Sequence, residues 1–280
     1  MMILQKNAYA KINLFLDIES KREDGYHDII SVMQSVSLCD TITVEYCEST
    51  EKFIEVFCDN PTIPLGEKNI AYKAANLFLD SGKVKIHIQK RIPTEAGLAG
   101  GSADAAAVIT LLNELTGNNK SEDEMLSIGA KIGADVPFCI SGGTKLTRGI
   151  GEKLTDFNPL DKCYIVISKM GDGVSTPKAY SMLDSMFDNF ENYNPRTDLL
   201  DLLEKNNTRG MFNVFESVII PFRPSVQKIK HILYENGAEH SMMSGSGPSV
   251  FGIFSSRESA TSACNALTDI GAIAHLCEPM

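Results

Sequence analysis

The stretch Pro93-Thr-Glu-Ala-Gly-Leu-Ala-Gly-Gly-Ser-Ala-Asp-Ala-Ala-Ala107 joins a glycine-rich loop to the beginning of a helix. Apolar residues then recur at three- and four-residue spacing until Gly117, which predicts a helix that ends there. Ser102 is expected to cap the N terminus of this helix. Because glycine loops expose N–H groups and a helix N terminus carries partial positive charge, the stretch indicates a phosphate site. The alternative is a glycine-rich turn that binds nothing.

Two common phosphate-binding motifs are excluded for this loop. The P-loop pattern Gly-x-x-x-x-Gly-Lys-Ser/Thr does not occur in the sequence. The dinucleotide-binding pattern Gly-x-Gly-x-x-Gly fails because Ala99 stands where its second glycine belongs. The loop also follows several strands that do not alternate with helices, unlike the order of a Rossmann half.

Composition limits the class of protein and its partners. The chain has 280 residues, 43% of them hydrophobic and 22% charged, and its net charge of −10 argues against nucleic acid as a partner. There is no run of about 18 apolar residues and no pattern typical of a secretory signal, so we expect a cytoplasmic protein without a membrane partner. Seven cysteines without metal-ligand spacing indicate free thiols and no metal site.

The length fits two medium-sized domains, whose boundary we place near residue 155, giving domains at residues 1–155 and 156–280. Strand-like and helical segments alternate in the second half, which predicts an α/β sandwich of the split βαβ kind. Residues 186–194 show no periodicity and are expected to form a mobile connection. A first strand is expected at residues 8–18.

Five polar residues are candidates for chemistry. Lys11 and Asn13 share one face of the first strand amid hydrophobic neighbours, and the alternative is a solvated strand face. Tyr26 and His27 follow a polar turn, where the alternative is a packed loop tip. Asp135 stands between a helix end and a proline, either as an exposed turn residue or directed into a site.

The glycine loop resembles the phosphate-binding signature of the GHMP kinases. Four further segments carry the same resemblance: Ala10-Lys-Ile-Asn-Leu-x-Leu16, Arg22-Glu-Asp-Gly-Tyr-His27, Gly133-Ala-Asp-Val-Pro-Phe138 and Ser244-Gly-Ser-Gly-Pro-Ser-Val-Phe251. The resemblance implies an α+β, two-domain GHMP kinase fold, with an N-terminal ribosomal protein S5 domain 2-like half and a C-terminal ferredoxin-like α/β sandwich. The Lys-x-Asn strand and the Gly-Tyr-His turn resemble a member that uses ATP to phosphorylate a small-molecule cytidine diphosphate substrate.

The resemblance also implies catalytic and ATP-binding roles. Asp135 resembles the base that takes the proton from the attacking hydroxyl, and Lys11 resembles the cation beside it that stabilises charge on the transferring group. The loop N–H groups would bind the ATP phosphates. The implied ATP-binding residues are Pro93, Thr94, Glu95, Ala96, Gly97, Leu98, Ala99, Gly100, Gly101, Ser102 and Ala103, with Asn69, Ile70 and Lys90 near the adenine.

Substrate recognition is implied for residues outside the glycine loop. His27 would bind the cytosine edge, Tyr26 would stack on one face of the ring, and Pro177 and Tyr180 would cover the other face. Asn13 would orient the region of the acceptor hydroxyl. The implied substrate-binding residues are Asn13, Tyr26, His27, Thr176, Pro177, Tyr180, Gly245, Ser246 and Gly247, the last three closing over the site.

Three positions depart from the family pattern. Tyr180 stands where the family more often has Phe, and Ala99 and Ala103 replace residues that are often Gly and Ser. Ser102 therefore remains as the side chain for phosphate or Mg²⁺. We expect Mg²⁺ to arrive with ATP, because no carboxylate pair suggests a dedicated metal cage.

Several alternatives stay open from the sequence. A monomer or weak homodimer is expected. Another GHMP enzyme, such as a mevalonate- or homoserine-type kinase or a diphosphomevalonate decarboxylase, is the second hypothesis, and a non-catalytic nucleotide-binding relative is the third.

Overall fold

The computed structural model describes residues 1–190 and 192–280. The strands are β1 (Met2–Lys21), β2 (His27–Cys47), β3 (Lys52–Cys58), β4 (Gly82–Gln89), β5 (Thr144–Arg148), β6 (Lys153–Asp156), β7 (Tyr164–Lys169), β8 (Phe212–Asn213), β9 (His240–Met243), β10 (Val250–Phe254) and β11 (Ile273–Cys277). The α-helices are α1 (Ile70–Phe78), α2 (Gly100–Thr116), α3 (Glu122–Ala130), α4 (Val136–Ser141), α5 (Thr176–Met186), α6 (Leu200–Glu204), α7 (Glu216–Phe222), α8 (Pro224–Glu235) and α9 (Arg257–Asp269). Short 3₁₀ helices lie at Asp188–Phe190, Thr197–Leu199 and Thr208–Gly210.

The chain forms two compact units, each built from separate segments. Unit 1 comprises Met1–Ala10, Cys39–Ile92 and Ala99–Gly142, and unit 2 comprises Lys11–Leu38, Pro93–Leu98 and Gly143–Met280. Strands β1 and β2 each contribute residues to both units. The single domain boundary near residue 155 stays a prediction.

Unit 1 is a sheet segment covered by helices. Strand β4 pairs antiparallel with the second part of β2, from Thr41 opposite Gln89 to Cys47 opposite Lys83, and parallel with β3. Alternate side chains of β4 are buried, as its period of two predicted. Helix α1 packs against β3 and β4, and α2 packs against α1. Helix α2 ends where expected, since Gly117 takes a left-handed conformation at its C terminus.

Unit 2 contains the predicted split βαβ arrangement. Its four-stranded sheet has the order β11-β7-β10-β9, with antiparallel pairing between neighbours. Helix α8 packs against β9 and β10, and α9 packs against β7 and β11. The buried faces of both helices join one hydrophobic core. The chain order β7, α8, β9, β10, α9, β11 is that of a ferredoxin-like sandwich, so this expectation is confirmed.

Smaller pairings complete unit 2. The first part of β2 pairs antiparallel with β5, placing Ser31 opposite Thr147, and β5 forms a hairpin with β6. Strand β8 pairs parallel with β1, where Phe15 lies opposite Phe212. These pairings place the polar side chains of β1 and β2 in the interior of unit 2.

Several elements differ from the sequence expectations. Strand β1 is longer than residues 8–18, and His27 begins strand β2 instead of ending a loop. The aperiodic stretch at residues 186–194 is not a featureless connection over its described part. It contains a 3₁₀ helix, and the rings of Phe187, Phe190 and Tyr193 pack with centroids 4.9 to 5.4 Å apart. Residue 191 of that stretch lies outside the described residues.

No helix within residues 1–190 and 192–280 is both long and apolar enough to cross a membrane.

Candidate active site

The first half of the glycine loop, Pro93–Leu98, packs against a second glycine-rich loop of unit 2 at residues 244–249. The hydroxyl of Ser244 donates to the carbonyl of Gly97 at 3.0 Å, and the N–H of Ser249 donates to the carbonyl of Ala96 at 3.3 Å. Gly97 has a φ of +75°, and a Cβ there would lie 2.1 Å from the carbonyl oxygen of Ser244. The approach of the two backbones therefore requires glycine at position 97.

Strand β1 presents the buried pair Lys11 and Asn13 beside these loops. The backbone N–H of Lys11 donates to the carbonyl of Leu98 at 3.1 Å, which fixes the strand to the glycine loop. The ammonium of Lys11 donates to Asn13 Oδ1 at 2.7 Å, and Asn13 Nδ2 donates to the hydroxyl of Ser31 at 2.8 Å. Lys11 is 4% exposed and Asn13 is 1% exposed, so the alternative of a solvated strand face is wrong.

The second half of the glycine loop forms the start of α2 in unit 1. The helix begins at Gly100, earlier than a Ser102 cap requires, and its N-cap residue Ala99 makes no side-chain capping bond. The prediction that Ser102 caps the helix is therefore wrong, because Ser102 lies within the first turn. A helix N terminus without a side-chain cap leaves N–H groups for an anion, which fits a phosphate site.

Two alanines and two glycines shape this helix start. Ala99 has a φ of +56°, a left-handed conformation that costs an alanine about 1–2 kcal/mol and glycine much less. A Cβ at Gly100 would lie 3.0 Å from the side chain of Ile92, and one at Gly101 would lie 3.1 Å from that of Ile70. Ala103 is buried, and its N–H donates to the carbonyl of Ala99 within the helix. Glycine at positions 100 and 101 thus allows close packing of the loop.

The residues expected near adenine have structural bonds in unit 1. Asn69 caps α1, since its Oδ1 accepts from the N–H groups of Ala71 at 2.8 Å and Tyr72 at 3.4 Å. The ammonium of Lys90 is buried between Asp40 and Asp104, and it donates to Asp104 at 2.8 Å. Both side chains therefore have their polar ends engaged by the protein, and a role toward adenine stays a prediction.

The cluster of Lys90, Asp40 and Asp104 carries one cation for two carboxyl groups. Asp40 also accepts from the N–H groups of Arg91 at 2.6 Å and Ile92 at 2.8 Å. Burial raises the pKa of Asp104 to about 8. The positive charge of Lys90 lowers this pKa, and the neighbouring Asp40 raises it. Asp104 therefore binds a proton at a higher pH than an ordinary aspartate does.

Asp135 is the N-cap residue of α4 in unit 1. It is half-buried, and its side chain makes no capping bond to its own helix, although Pro137 in the first turn favours a helix start. The carboxylate is thus not used as a helix cap. The alternative of a fully exposed turn residue does not hold.

The residues expected to bind the nucleobase lie in unit 2. His27 is buried, its ring is stacked on Tyr180 with centroids 4.7 Å apart, and its Nε2 lies 2.6 Å from Asp184 Oδ1. Tyr26 is 60% exposed, and Pro177 is exposed at the start of α5. A face of the Tyr180 ring is therefore covered by His27, so Tyr180 supports the imidazole directly.

The loop at residues 245–247 is held by a buried asparagine and by α5. Asn213 Nδ2 donates to the carbonyl of Met243 at 2.7 Å and to that of Gly245 at 2.9 Å. The hydroxyls of Thr176 and Ser246 lie 3.1 Å apart. Unit 2 thus brings together Lys11, Asn13, Pro93–Leu98, Thr176, Gly245, Ser246 and Gly247, while Ala99–Ala103, Asn69, Lys90 and Asp135 belong to unit 1.

Sequence reasoning missed three polar residues that position this site. Ser31 and Asn213 lie in strands whose pairing could not be deduced from periodicity. Asp184 carried a usable signal, because it lies four residues after Tyr180, a spacing that places both on one face of a helix such as α5.

Comparisons with known proteins agree with this architecture. The family model described as GHMP kinases N terminal domain matches residues 69–143, and that described as GHMP kinases C terminal matches residues 195–273. A solved homoserine kinase from Cytophaga hutchinsonii has the same fold, with a TM-score of 0.75, 20% identity, and coverage of 99% of this chain and 94% of the other. The fold and the loops together define a GHMP kinase.

Relatives with higher sequence identity identify the family more specifically. The chain is 49% identical over 262 residues to the 4-diphosphocytidyl-2-C-methyl-D-erythritol kinase of Acetivibrio thermocellus, covering 90% of each chain. It is 45% identical to that of Caldicellulosiruptor saccharolyticus, covering 95% of this chain and 92% of the other. A crystal structure of 4-(cytidine 5'-diphospho)-2C-methyl-D-erythritol kinase gives a TM-score of 0.82 at 30% identity, covering 99% of both chains. The chain belongs to the 4-diphosphocytidyl-2-C-methyl-D-erythritol kinase family.

The close approach at Gly97 generates a stability prediction. Gly97→Ala is expected to lower the free energy of unfolding by about 1–3 kcal/mol beyond the strain of a left-handed alanine, because its Cβ overlaps the Ser244 carbonyl. Gly171→Ala is the matched control, since Gly171 has a φ of +77° but a Cβ added there would meet no atom within 4 Å. Urea unfolding of both variants measures the difference, and equal losses would contradict the overlap.

The raised pKa of Asp104 predicts that the stability of the fold depends on pH. An aspartate in an unfolded chain has a pKa of about 3.9, whereas that of folded Asp104 is about 8, so the folded state binds the extra proton between these values. The stability from this proton is complete below the lower value and is lost as pH rises through the higher one. Asp104→Asn keeps an oxygen that accepts from Lys90 and removes the titration.

Urea midpoints at about pH 6 and about pH 9 test this linkage. The midpoint of the unsubstituted protein should fall more between these values than that of Asp104→Asn. Asp80→Asn, at an exposed aspartate of unit 1, is the control and should follow the unsubstituted protein. The same pH dependence in the Asp104 variant would contradict a raised pKa at that position.

Proposed function

We propose that this chain transfers the γ-phosphoryl group of ATP to the 2-hydroxyl of 4-diphosphocytidyl-2-C-methyl-D-erythritol, in the non-mevalonate route to isoprenoid precursors. The named relatives, nearly half identical over nine-tenths of both chains, support the substrate. The structural observation that carries the proposal is the buried ammonium of Lys11. It lies on a strand whose backbone bonds the phosphate loop at Leu98.

ATP would bind through backbone N–H groups of the glycine loop. Phosphoryl transfer needs alignment and charge stabilisation more than covalent help from the protein. The uncapped start of α2 and the glycines at positions 100 and 101 supply N–H groups and a positive helix end. The hydroxyl of Ser102 in the first turn is the side chain we assign to a phosphate oxygen or to Mg²⁺.

Mg²⁺ would accompany the ATP phosphates. Within the described part of the chain, no group of three or more His, Cys, Asp or Glu side chains is arranged to hold a metal ion. Mg²⁺ commonly keeps several waters and binds through one or two protein oxygens plus substrate phosphates, so the donors present here fit that mode. When bound with ATP, the ion neutralises charge on the phosphates.

Asp135 and Lys11 are assigned the chemical roles. The Asp135 carboxylate, which is not used as a helix cap, would accept the proton of the attacking hydroxyl, and in a loose transition state that proton leaves late. The Lys11 ammonium, oriented by Asn13 Oδ1, would stabilise negative charge on the transferring group. Asn13 is itself oriented by Ser31, which prevents its amide from rotating.

The substrate would be recognised at its cytidine end. His27 is assigned to the cytosine edge and Tyr26 to one face of the cytosine ring. Pro177, which is exposed, is assigned to the other face, and Tyr180 supports the imidazole of His27. Thr176, Gly245, Ser246 and Gly247 are assigned to the rest of the substrate. We further propose a cytoplasmic enzyme that works as a monomer or weak homodimer on small molecules, with no nucleic acid partner.

A panel of acceptors tests the function. Coupled release of ADP should occur with the cytidine diphosphate substrate and not with mevalonate, homoserine or galactose at the same concentration. GHMP enzymes with those smaller substrates have no cytosine to bind, so the buried His27 favours the first outcome. Turnover only with one of the other three acceptors would refute the proposal.

The base assignment makes a separate prediction. Asp135→Asn should lower kcat by roughly 10²–10⁴, because a positioned general base contributes about that factor. ATP affinity, measured by fluorescence or calorimetry, should change little, since the amide keeps the side-chain volume. Asp123→Asn, at an exposed aspartate of α3, should retain full turnover. An Asp135 variant with near-normal kcat would eliminate this residue as the base.

A further inference from the structure

The imidazole of His27 is fixed on three sides within unit 2. Its ring stacks on Tyr180 at 4.7 Å between centroids and meets the edge of Phe190 at 5.7 Å. Its Nε2 lies 2.6 Å from Asp184 Oδ1, and only 4% of the side chain is exposed. The packing restricts the ring, and the 2.6 Å contact favours the orientation in which Nε2 faces the carboxyl group.

Asp184 accepts hydrogen bonds and does not donate them. Burial alone would raise the pKa of Asp184, but hydrogen bonds from Lys21 and His27 outweigh it and lower the pKa below its ordinary value. Lys21 donates to the second oxygen, Oδ2, at 2.8 Å. An ionised carboxylate has only acceptor sites, so the proton of the short contact lies on Nε2 of His27.

A neutral imidazole with its proton on Nε2 has a lone pair on Nδ1. Nδ1 then accepts hydrogen bonds and cannot donate one. Among residues 1–190 and 192–280, no protein group donates a hydrogen bond to Nδ1 of His27. The atom is therefore suited to a ligand that offers an N–H group.

We propose that Asp184 is a positioning residue that sets the choice of nucleobase, by holding the His27 proton on Nε2 so that Nδ1 accepts from the 4-amino group of cytosine. Uracil carries a carbonyl oxygen at that position, which would face the Nδ1 lone pair without a hydrogen between them. Two acceptors that face each other are left unpaired on binding, which costs affinity. The inference rests on the proposed function, in which His27 contacts the base.

Lys21 makes one substitution decisive. In Asp184→Asn, the Lys21 ammonium, which can only donate, favours the amide oxygen over the NH₂ group at the position of Oδ2, 2.8 Å from it in the unsubstituted protein. The amide NH₂ then faces Nε2 of His27, which can accept only if the proton moves to Nδ1. The variant thus changes the tautomer of His27 without changing the volume of either side chain.

The first experiment compares kcat/KM for the cytidine substrate and its uridine analogue. Asp184→Asn should lower the cytidine-to-uridine ratio of kcat/KM by about tenfold to a hundredfold. In the variant, Nδ1 of His27 carries the proton, so it can donate to the uracil oxygen and no longer accepts from the cytosine amino group. The change should appear mainly in KM, because the reacting groups are not altered. Asp156→Asn makes the same chemical change at a carboxylate that is 91% exposed and should keep the ratio of the unsubstituted protein.

The second experiment observes the tautomer directly. Long-range ¹H–¹⁵N correlation at a pH where the imidazole is neutral should show His27 protonated on Nε2 in the unsubstituted protein and on Nδ1 in Asp184→Asn. His27→Gln identifies the resonance. An unsubstituted protein with its proton on Nδ1 would overturn the inference even if the Asp184 variant does not fold.

The two experiments separate this inference from the proposed function. If the cytidine substrate is phosphorylated and the Asp184 variant keeps the same base ratio, the positioning role is wrong and the function stands. If the unsubstituted protein phosphorylates no cytidine substrate, the function is wrong, whatever tautomer is observed. A lowered ratio together with the shifted proton supports both.

Discussion

An ammonium group inside a protein needs hydrogen-bond acceptors, because removing it from water without them costs many kcal/mol. Lys11 is 4% exposed, and its first acceptor is the amide oxygen of Asn13 on the same strand. That amide is fixed in turn by the hydroxyl of Ser31, which donates to the carbonyl of Phe15. The hydrogen bonds of Asn13 and Ser31 therefore connect the buried cation to the backbone of β1, and the backbone bond to Leu98 joins the same strand to the glycine loop.

Unit 1 contains a different balance of charge. Lys90 faces two carboxyl groups, so the cluster has one cation for two acids. Burial raises the pKa of Asp104, so this carboxyl group binds a proton more readily than an ordinary aspartate. The ammonium of Lys11 donates to the amide of Asn13, and that of Lys90 lies between two carboxyl groups. Each buried ammonium is thus engaged by acceptors of its own unit.

Much of the fold follows from local sequence patterns, and much of the site follows from motifs. Periodicity predicted α2 and its end at Gly117, and the order of the second half predicted the ferredoxin-like sheet. The cap at Ser102 was wrong because a left-handed alanine at Ala99 starts the helix early, which propensity does not predict. The Asp184 contact to His27 joins residues 157 positions apart, and only tertiary packing brings them together.

The contact between the two glycine loops of unit 2 has a consequence for how this sequence can vary. The bond from the Ser249 N–H to the carbonyl of Ala96 joins two backbone groups, so it requires an N–H at position 249 but no particular polar side chain. At Gly97, by contrast, the space that a methyl group would need is filled by the Ser244 carbonyl. The close approach of the two loops thus depends on the absence of a Cβ atom at position 97. Substitutions that leave the fold intact should therefore be almost absent at position 97.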